Sequence, residues 1–486
     1  MDAHVSTYNM KEKYIRLAGA FLICYVFVVR MVIDASGEWN GLFHYAYILC
    51  VFSELSVVFL CIFSLRVDKR ALKLVAAYLV WLVLSRPFCG DIKLTSSIEL
   101  ITIVAVCTSI MYYALSLDDA YRRRILAIFF SIICAFYLVI AFSIIYVAVT
   151  RTLVRLPFDI TVGIKSEGEL RYVTAFGQHR NITGQWSCLN FCLIAYLFCV
   201  CKNKIMRFFL GISEAIFFVA VALGLCRTSM ISLAVAVAML AAFIVQKALT
   251  NKKNATRVVA ALLAAIAVLP VAYEMQSAVG AAVEKISQKY VSISGNNVAS
   301  GAGTVIDAYT GNMTELTEEE ALYTETRGSD NVKILGGRVL LWKCVFAVLG
   351  FEPERLLHGA SIDGYMTLVH IFRKTEEINT HNFLLESLMI TGIPGFLLVF
   401  SFTAILTIRM IKLFFSRVAD DKVKLLTIPL GSLLIRNMGE AQILRTDDIT
   451  NYLFFFAAGT FLAYSYELFP EKPFRIKMLQ KCSGRK

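Results

Sequence analysis

Charge is what this sequence has least of. Asp, Glu, Lys and Arg make up only 17% of its 486 residues, where a soluble domain carries about one-quarter. The shortfall excludes an ordinary soluble enzyme, and the 58% hydrophobic content excludes intrinsic disorder, collagen and a coiled coil. A disulfide framework and zinc-ligand spacing are also missing. Of the 13 cysteines, Cys24, Cys50, Cys61, Cys107, Cys134, Cys188, Cys192 and Cys199 fall inside apolar runs, where a thiol acts as a small hydrophobe. Cys199 and Cys201 form a CxC with no histidine pair nearby. Strict alternation of apolar and polar residues is absent too, which excludes a membrane β-barrel.

What is present is a series of apolar runs of roughly 17 to 25 residues, the length that crosses a bilayer as a helix. The sequence predicts an all-α integral membrane protein of about 12 transmembrane helices. Spans 1 to 5 occupy 1–150, spans 6 to 9 occupy 185–275, and spans 10 to 12 fall within 381–468. Two longer segments, 151–184 and 276–380, separate these groups, and a basic tail, 469–486, ends the chain. The first run is too long, and too promptly followed by a second, for a cleaved signal; it reads as a signal anchor.

The net charge of +12 is a topology signal rather than a nucleic-acid signature. Lysines and arginines crowd alternate connections: Arg66 to Lys73, Arg122 to Arg124, Lys202 to Arg207, Lys247 to Arg257, Arg409 to Lys424, and the tail. The other short connections hold few, namely Arg86, Lys93, Arg227, Arg436 and Arg445. By the positive-inside rule both termini are cytoplasmic and the two long segments extracytoplasmic. Arg30, near the outer end of the first span, is expected to snorkel.

Long loops without spans of their own are where function concentrates. Within the second, 292–330 reads as a solvated insert, with a capping box at Thr317 to Glu320 starting a short helix. From Gly336 the character changes: Arg338 leads a short apolar helix to Gly350, too short to span and expected at the interface.

Four constellations stand out. Arg227 sits in a very tight turn between apolar runs, either snorkelling or holding an anion in a cavity. Arg338 follows two glycines at a helix start, either an interfacial anchor or, with backbone N–H groups, a phosphate ligand. His381 and Asn382 open a helix that Gly392, Pro394 and Gly395 interrupt; in its first turn His381 would stay neutral near pH 7 and accept a proton, or be structural. Last, Arg171 to Gly184 is a Gly-punctuated polar run ahead of the sixth span.

In order and spacing these segments resemble the O-antigen ligase and O-antigen polymerase family of bacterial membrane proteins, over roughly 171–415. The carrying motifs are Gly177 and Asn181 before a span, Arg227 after a turn, Gly337, Arg338 and Trp342 at a helix start, and His381–Asn382 followed by Gly392 and Gly395. Gly-Leu-Cys before Arg227 and Arg180 in a place the family often fills with proline depart from the pattern.

The resemblance implies a multi-pass protein of the bacterial cytoplasmic membrane. It implies transfer of a glycan from a polyprenyl pyrophosphate carrier, undecaprenyl in most bacteria, to an acceptor hydroxyl on the outer leaflet. Pyrophosphate would be held by Arg227 and Arg338, helped by Arg171 and Arg180, with His381 the general base. No cofactor and no metal are expected, and other polysaccharide-assembly membrane proteins are possible partners. A transporter or flippase for a lipid-linked or anionic solute is the other class that about 12 spans allow; Arg30 and Glu214 are the charges it would use.

Overall fold

A computed structural model describes residues 16–31, 49, 51–58, 70–89, 94–152, 154–156, 160–167, 170–175, 180–294, 304–306, 313–315, 342, 346, 354–360, 380–439, 443 and 449–470. They form a helical bundle in which α1 (16–31) and α2 (51–58) lead into α3 (Arg70–Ser85). The chain continues through α4 (Leu94–Ser116), α5 (Asp119–Thr150), α6 (Arg180–Val200), α7 (Lys204–Gly224), α8 (Arg227–Ala248) and α9 (Asn254–Ser294). After the single turn α10 (Arg355–His358) come α11 (Phe383–Phe414), α12 (Asp421–Asn437) and α13 (Ile449–Leu468).

Short polar side chains set several helix starts by accepting otherwise unpaired N–H groups. Asp118 caps α5 through Tyr121, Asn203 caps α7 through Ile205 and Met206, and Asp420 caps α12 through Lys422. Eight helices among the described residues, α3 to α9 and α11, are long and apolar enough to cross a membrane. The expected spans 1, 2, 11 and 12 coincide in position with α1, α2, α12 and α13. α12 and α13 run through the bundle interior and carry buried polar side chains there, Thr427, Ser432, Thr450, Asn451 and Ser465. Neighbouring helices can satisfy such groups as lipid cannot.

At the other extreme α9 lies at the edge. Val259, Leu262, Leu263, Ile266 and Val271 are exposed along it, as expected of a face turned to acyl chains. Its 41 residues make a rod of about 60 Å at 1.5 Å per residue, twice the hydrocarbon thickness. The segment 276–380 therefore does not begin as a loop: α9 continues to Ser294. The Ala-rich stretch beyond Gln276 is less apolar but still favours helix. Arg151, left-handed at the end of α5 (φ 58°), pins this extension by bonds to Ser287 (2.8 Å) and Glu284 (2.5 Å).

The segment 151–184 is likewise more than a loop. Three antiparallel strands occupy it, β1 (Val154–Arg155), β2 (Thr161–Glu167) and β3 (Leu170–Ala175), in the order β1-β2-β3. The sheet packs on α5, α6 and α7. A second ribbon pairs β4 (Thr304–Ile306) with β5 (Met313–Glu315). The capping box at Thr317 lies outside the described residues.

Two arginines read as ordinary connection cations are buried instead, and so is Arg30. Arg30 does not snorkel: its Nε donates to Glu54 at 3.0 Å, both side chains being 3% exposed or less. Tyr452 of α13 donates its hydroxyl to the same carboxylate at 3.0 Å. A guanidinium that has a carboxylate within the bundle gains more from it than from reaching for headgroups. Arg86 and Arg436 are taken up below.

Candidate functional site

One end of the bundle gathers several of the residues singled out in the sequence, namely Asn181, Arg227, Trp342, His381 and Asn382. Its centre is Asn181, in the first turn of α6. The carboxamide oxygen of Asn181 accepts the Cys226 thiol at 3.2 Å, and its backbone carbonyl accepts Arg436 Nη2 at 3.4 Å. Cys226 is the N-cap of α8, makes no side-chain cap bond, and immediately precedes Arg227, which is half-buried. α7 ends at Gly224, so only Leu225 and Cys226 separate the two helices, and the left-handed Leu225 (φ 46°) makes the reversal.

This arrangement needs α6 and α8 in close approach, which Gly184 provides. A Cβ there would lie 2.8 Å from both Cys226 Cβ and Ser229 Oγ. Gly184→Val is accordingly expected to wedge the helices apart at a cost of about 1–3 kcal/mol. The check is the thermal midpoint of the purified protein in lipid nanodiscs; an unchanged midpoint would show that the contact is not close-packed.

The start of α11 reaches the same end. Asn382 is its N-cap, accepting from Leu384 N (3.0 Å) and Leu385 N (3.2 Å), while its amide donates to the Met438 carbonyl at 3.3 Å. Thr380 N–H donates to Glu386 Oε2 at 2.9 Å, and the Thr380 hydroxyl to the Asn382 carbonyl at 2.9 Å. His381 is thus not in the first helical turn: because Asn382 takes the cap, His381 stands one residue before it, half-buried, between buried Thr380 and Asn382. Its φ is 51°, a left-handed conformation that His adopts more readily than most residues and that costs on the order of 1–3 kcal/mol. Such strain is found where a side chain must be presented in one place.

Trp342 joins this end, its indole N–H donating to the Thr380 carbonyl at 2.9 Å. Trp342 and Phe346 are both helical; Gly337, Arg338 and the rest of the expected interfacial helix lie outside the described residues. So does Gly177. Arg180 is the first residue of α6, which therefore starts earlier than Gln185. Arg171 is in β3, paired with Ser166 of β2. The end of β3 is tied to α6 by Ala175 N–H donating to Thr183 Oγ1 at 2.9 Å.

Two residues at this end escaped the sequence reading. Arg436, counted as a connection cation, is 2% exposed in the last turn of α12. Its position directly after an apolar run, the pattern that singled out Arg227, was the available signal. Glu386, 3% exposed, gave no signal, because its partner is a backbone N–H.

The electrostatics follow from direction. α6, α8 and α11 all present N-termini here, the positive ends of their dipoles, while α12 presents a C-terminus carrying Arg436. Three helix N-termini with Arg227 and Arg436 make this end of the bundle electropositive and suited to an anion. Among the described residues no group of three His, Cys, Asp or Glu is placed to hold a metal ion.

Further along α11 the helix breaks at Gly392, with φ 66° and ψ −171°. A Cβ at Gly392 would meet the Leu357 carbonyl of α10 at 2.5 Å, and one at Gly395 would lie 3.2 Å from the Trp81 ring. These two glycines therefore admit α10 and α3 to the break. No protein-family model matches the chain, and no curated protein matches it.

Proposed function

We propose that the protein is a cytoplasmic-membrane enzyme that transfers a glycan from a polyprenyl pyrophosphate carrier to an acceptor hydroxyl on the outer leaflet, as a polysaccharide repeat-unit polymerase or an O-antigen ligase. On this reading it has about 12 spans, both termini are cytoplasmic and the Asn181–His381 end faces outward. The observation that carries it is the convergence of three helix N-termini with Arg227 and the buried Arg436 beside His381 and Asn382.

The chemistry asks for what that end offers. The acceptor oxygen bonds to the anomeric carbon of the donor glycan as its proton passes to the His381 imidazole. The bond from that carbon to the pyrophosphate oxygen breaks, and polyprenyl pyrophosphate leaves with the electron pair. Negative charge grows on the leaving group, so pre-placed guanidinium groups and N–H dipoles stabilise the transition state more than the ground state. On this reading Arg227 and Arg338 hold the pyrophosphate, with Arg171 and Arg180 as helpers, and Arg436 adds its charge from α12.

A transporter or flippase is the second reading, favoured by the intramembrane Arg30–Glu54 pair, a kind of charge that substrate pathways use. One experiment separates the readings. Purified protein in vesicles is given undecaprenyl-pyrophosphate-linked repeat units: a ladder from that substrate alone identifies a polymerase, and product only with a second lipid acceptor identifies a ligase. Saturable counterflow of the substrate with no glycan transfer would sink the enzyme reading.

A further inference from the structure

The break in α11 removes backbone hydrogen bonds inside the bundle. Pro394 has no N–H, so the Ile390 carbonyl four residues earlier loses its helical donor, and the left-handed Gly392 turns the neighbouring groups away from the helix axis. An unpaired carbonyl in such surroundings costs about 1–3 kcal/mol, and the carbonyls of Met389, Ile390 and Thr391 each have a donor from outside the helix. Arg86, 6% exposed at the end of α3, donates Nη2 to Ile390 O and Nη1 to Ala360 O at 3.4 Å. Trp81, one turn earlier on α3, donates Nε1 to Thr391 O at 2.7 Å. Ala360 N–H donates to Met389 O at 2.7 Å, where the left-handed Gly359 (φ 90°) lets α10 lie against the helix.

We propose that Arg86 is a positioning residue for the His381 end of α11. Its guanidinium stands in for the donor that Pro394 lacks and so fixes the angle of the segment Phe383–Thr391, whose other end carries Asn382 and His381. Helix, cap and left-handed turn are continuous from Ile390 back to His381. A shift at the break is therefore carried over nine residues, about 13 Å, to the imidazole. The carbonyls that Arg86 bonds, those of Ile390 and Ala360, lie at the opposite end of the segment from the cap. That separation marks a residue acting through another rather than on a ligand. A lysine in its place supplies a point charge able to serve one carbonyl well, not the two that a planar guanidinium spans.

The kinetic part of this inference rests on the proposed glycan transfer; the anchoring part does not. Arg86→Met and Arg86→Lys are compared with wild type by amide hydrogen exchange and by turnover of undecaprenyl-pyrophosphate-linked repeat units. Exchange is expected to quicken at Phe383–Gly395 in the methionine variant, with α6 and α8 unchanged, and to be intermediate in the lysine variant. Turnover should fall roughly 10²-fold in kcat with KM for the lipid-linked donor unchanged, and recover in part with lysine. Unchanged exchange at Phe383–Gly395 overturns the proposal whatever the activity. A rise in KM with kcat preserved overturns it too, since that is the mark of a ligand contact. If Arg86→Met does not reach the membrane, Arg86→Lys alone carries the exchange test, with exchange at Phe383–Gly395 still expected to be faster than in wild type. Wild-type protein without transfer activity would end the functional reading alone, and exchange would still decide whether Arg86 anchors the break.

Discussion

Replacing His381 by alanine is expected to cut glycan transfer by roughly 10²- to 10⁴-fold, the usual contribution of a general base, while leaving affinity for the lipid-linked donor largely intact. The expectation follows from where the residue sits. His381 is held between the buried Thr380 and Asn382 in a left-handed conformation, and its neighbours bond to α12 and to Trp342. The backbone would keep most of these bonds without the imidazole: Asn382 would still cap α11, and Glu386 would still accept from Thr380. Loss of the ring thus removes a proton acceptor while the cap stays in place, so kcat should fall and KM should not. Donor binding, followed by titrating a fluorescent lipid-linked substrate, separates the outcomes. Turnover within a fewfold of wild type would end the base assignment. Lost binding alongside lost turnover would move His381 from proton transfer to donor recognition.

Removing either partner of the Arg30–Glu54 pair is expected to be the most destabilising change in the transmembrane part. Both side chains are buried, and Glu54 also accepts from Tyr452, so either truncation takes the opposite charge away from a buried ion. Breaking such a pair costs about 3–5 kcal/mol, whereas replacing both members with apolar residues of similar size is often neutral or stabilising. Arg30→Ala and Glu54→Ala should each lower the thermal midpoint sharply. The double variant Arg30→Met with Glu54→Leu should recover most of the loss. Recovery by the double change would also count against a transport role, provided function in vesicles is retained. Single variants as stable as wild type would mean that the pair does not hold α1 and α2 to α13.

These two regions differ in how much the sequence disclosed. The apolar runs were legible because lipid demands a continuous stretch of unpaired-group-free helix, and the eight helices long and apolar enough to cross a membrane fall on them. The His381–Asn382 pair was legible by residue type and spacing, but not the identity of the cap. Thr380, His381 and Asn382 are all polar, and only the carboxamide's reach to Leu384 and Leu385 decides among them. Arg30, Arg86 and Arg436 were misjudged for one reason. A cation beside an apolar run looks the same whether it reaches for headgroups or turns inward, and the partners that turn these three inward lie on other helices. The extension of α9 past Tyr273 was hidden by falling hydropathy, a measure of environment, while the residues beyond it kept their preference for helix.

The bond between Arg86 and Ile390 joins positions 304 residues apart. A ribosome adding about 5–20 residues per second delivers the second roughly 15 to 60 s after the first. Throughout that interval the nascent chain holds a guanidinium at the end of α3 whose native acceptor does not yet exist. Glu54 waits longer still for Tyr452, 398 residues on. The early helices can enter the bilayer in order, but their polar anchors close only as the last quarter of the polypeptide arrives, so assembly of this bundle is finished from its C-terminal side.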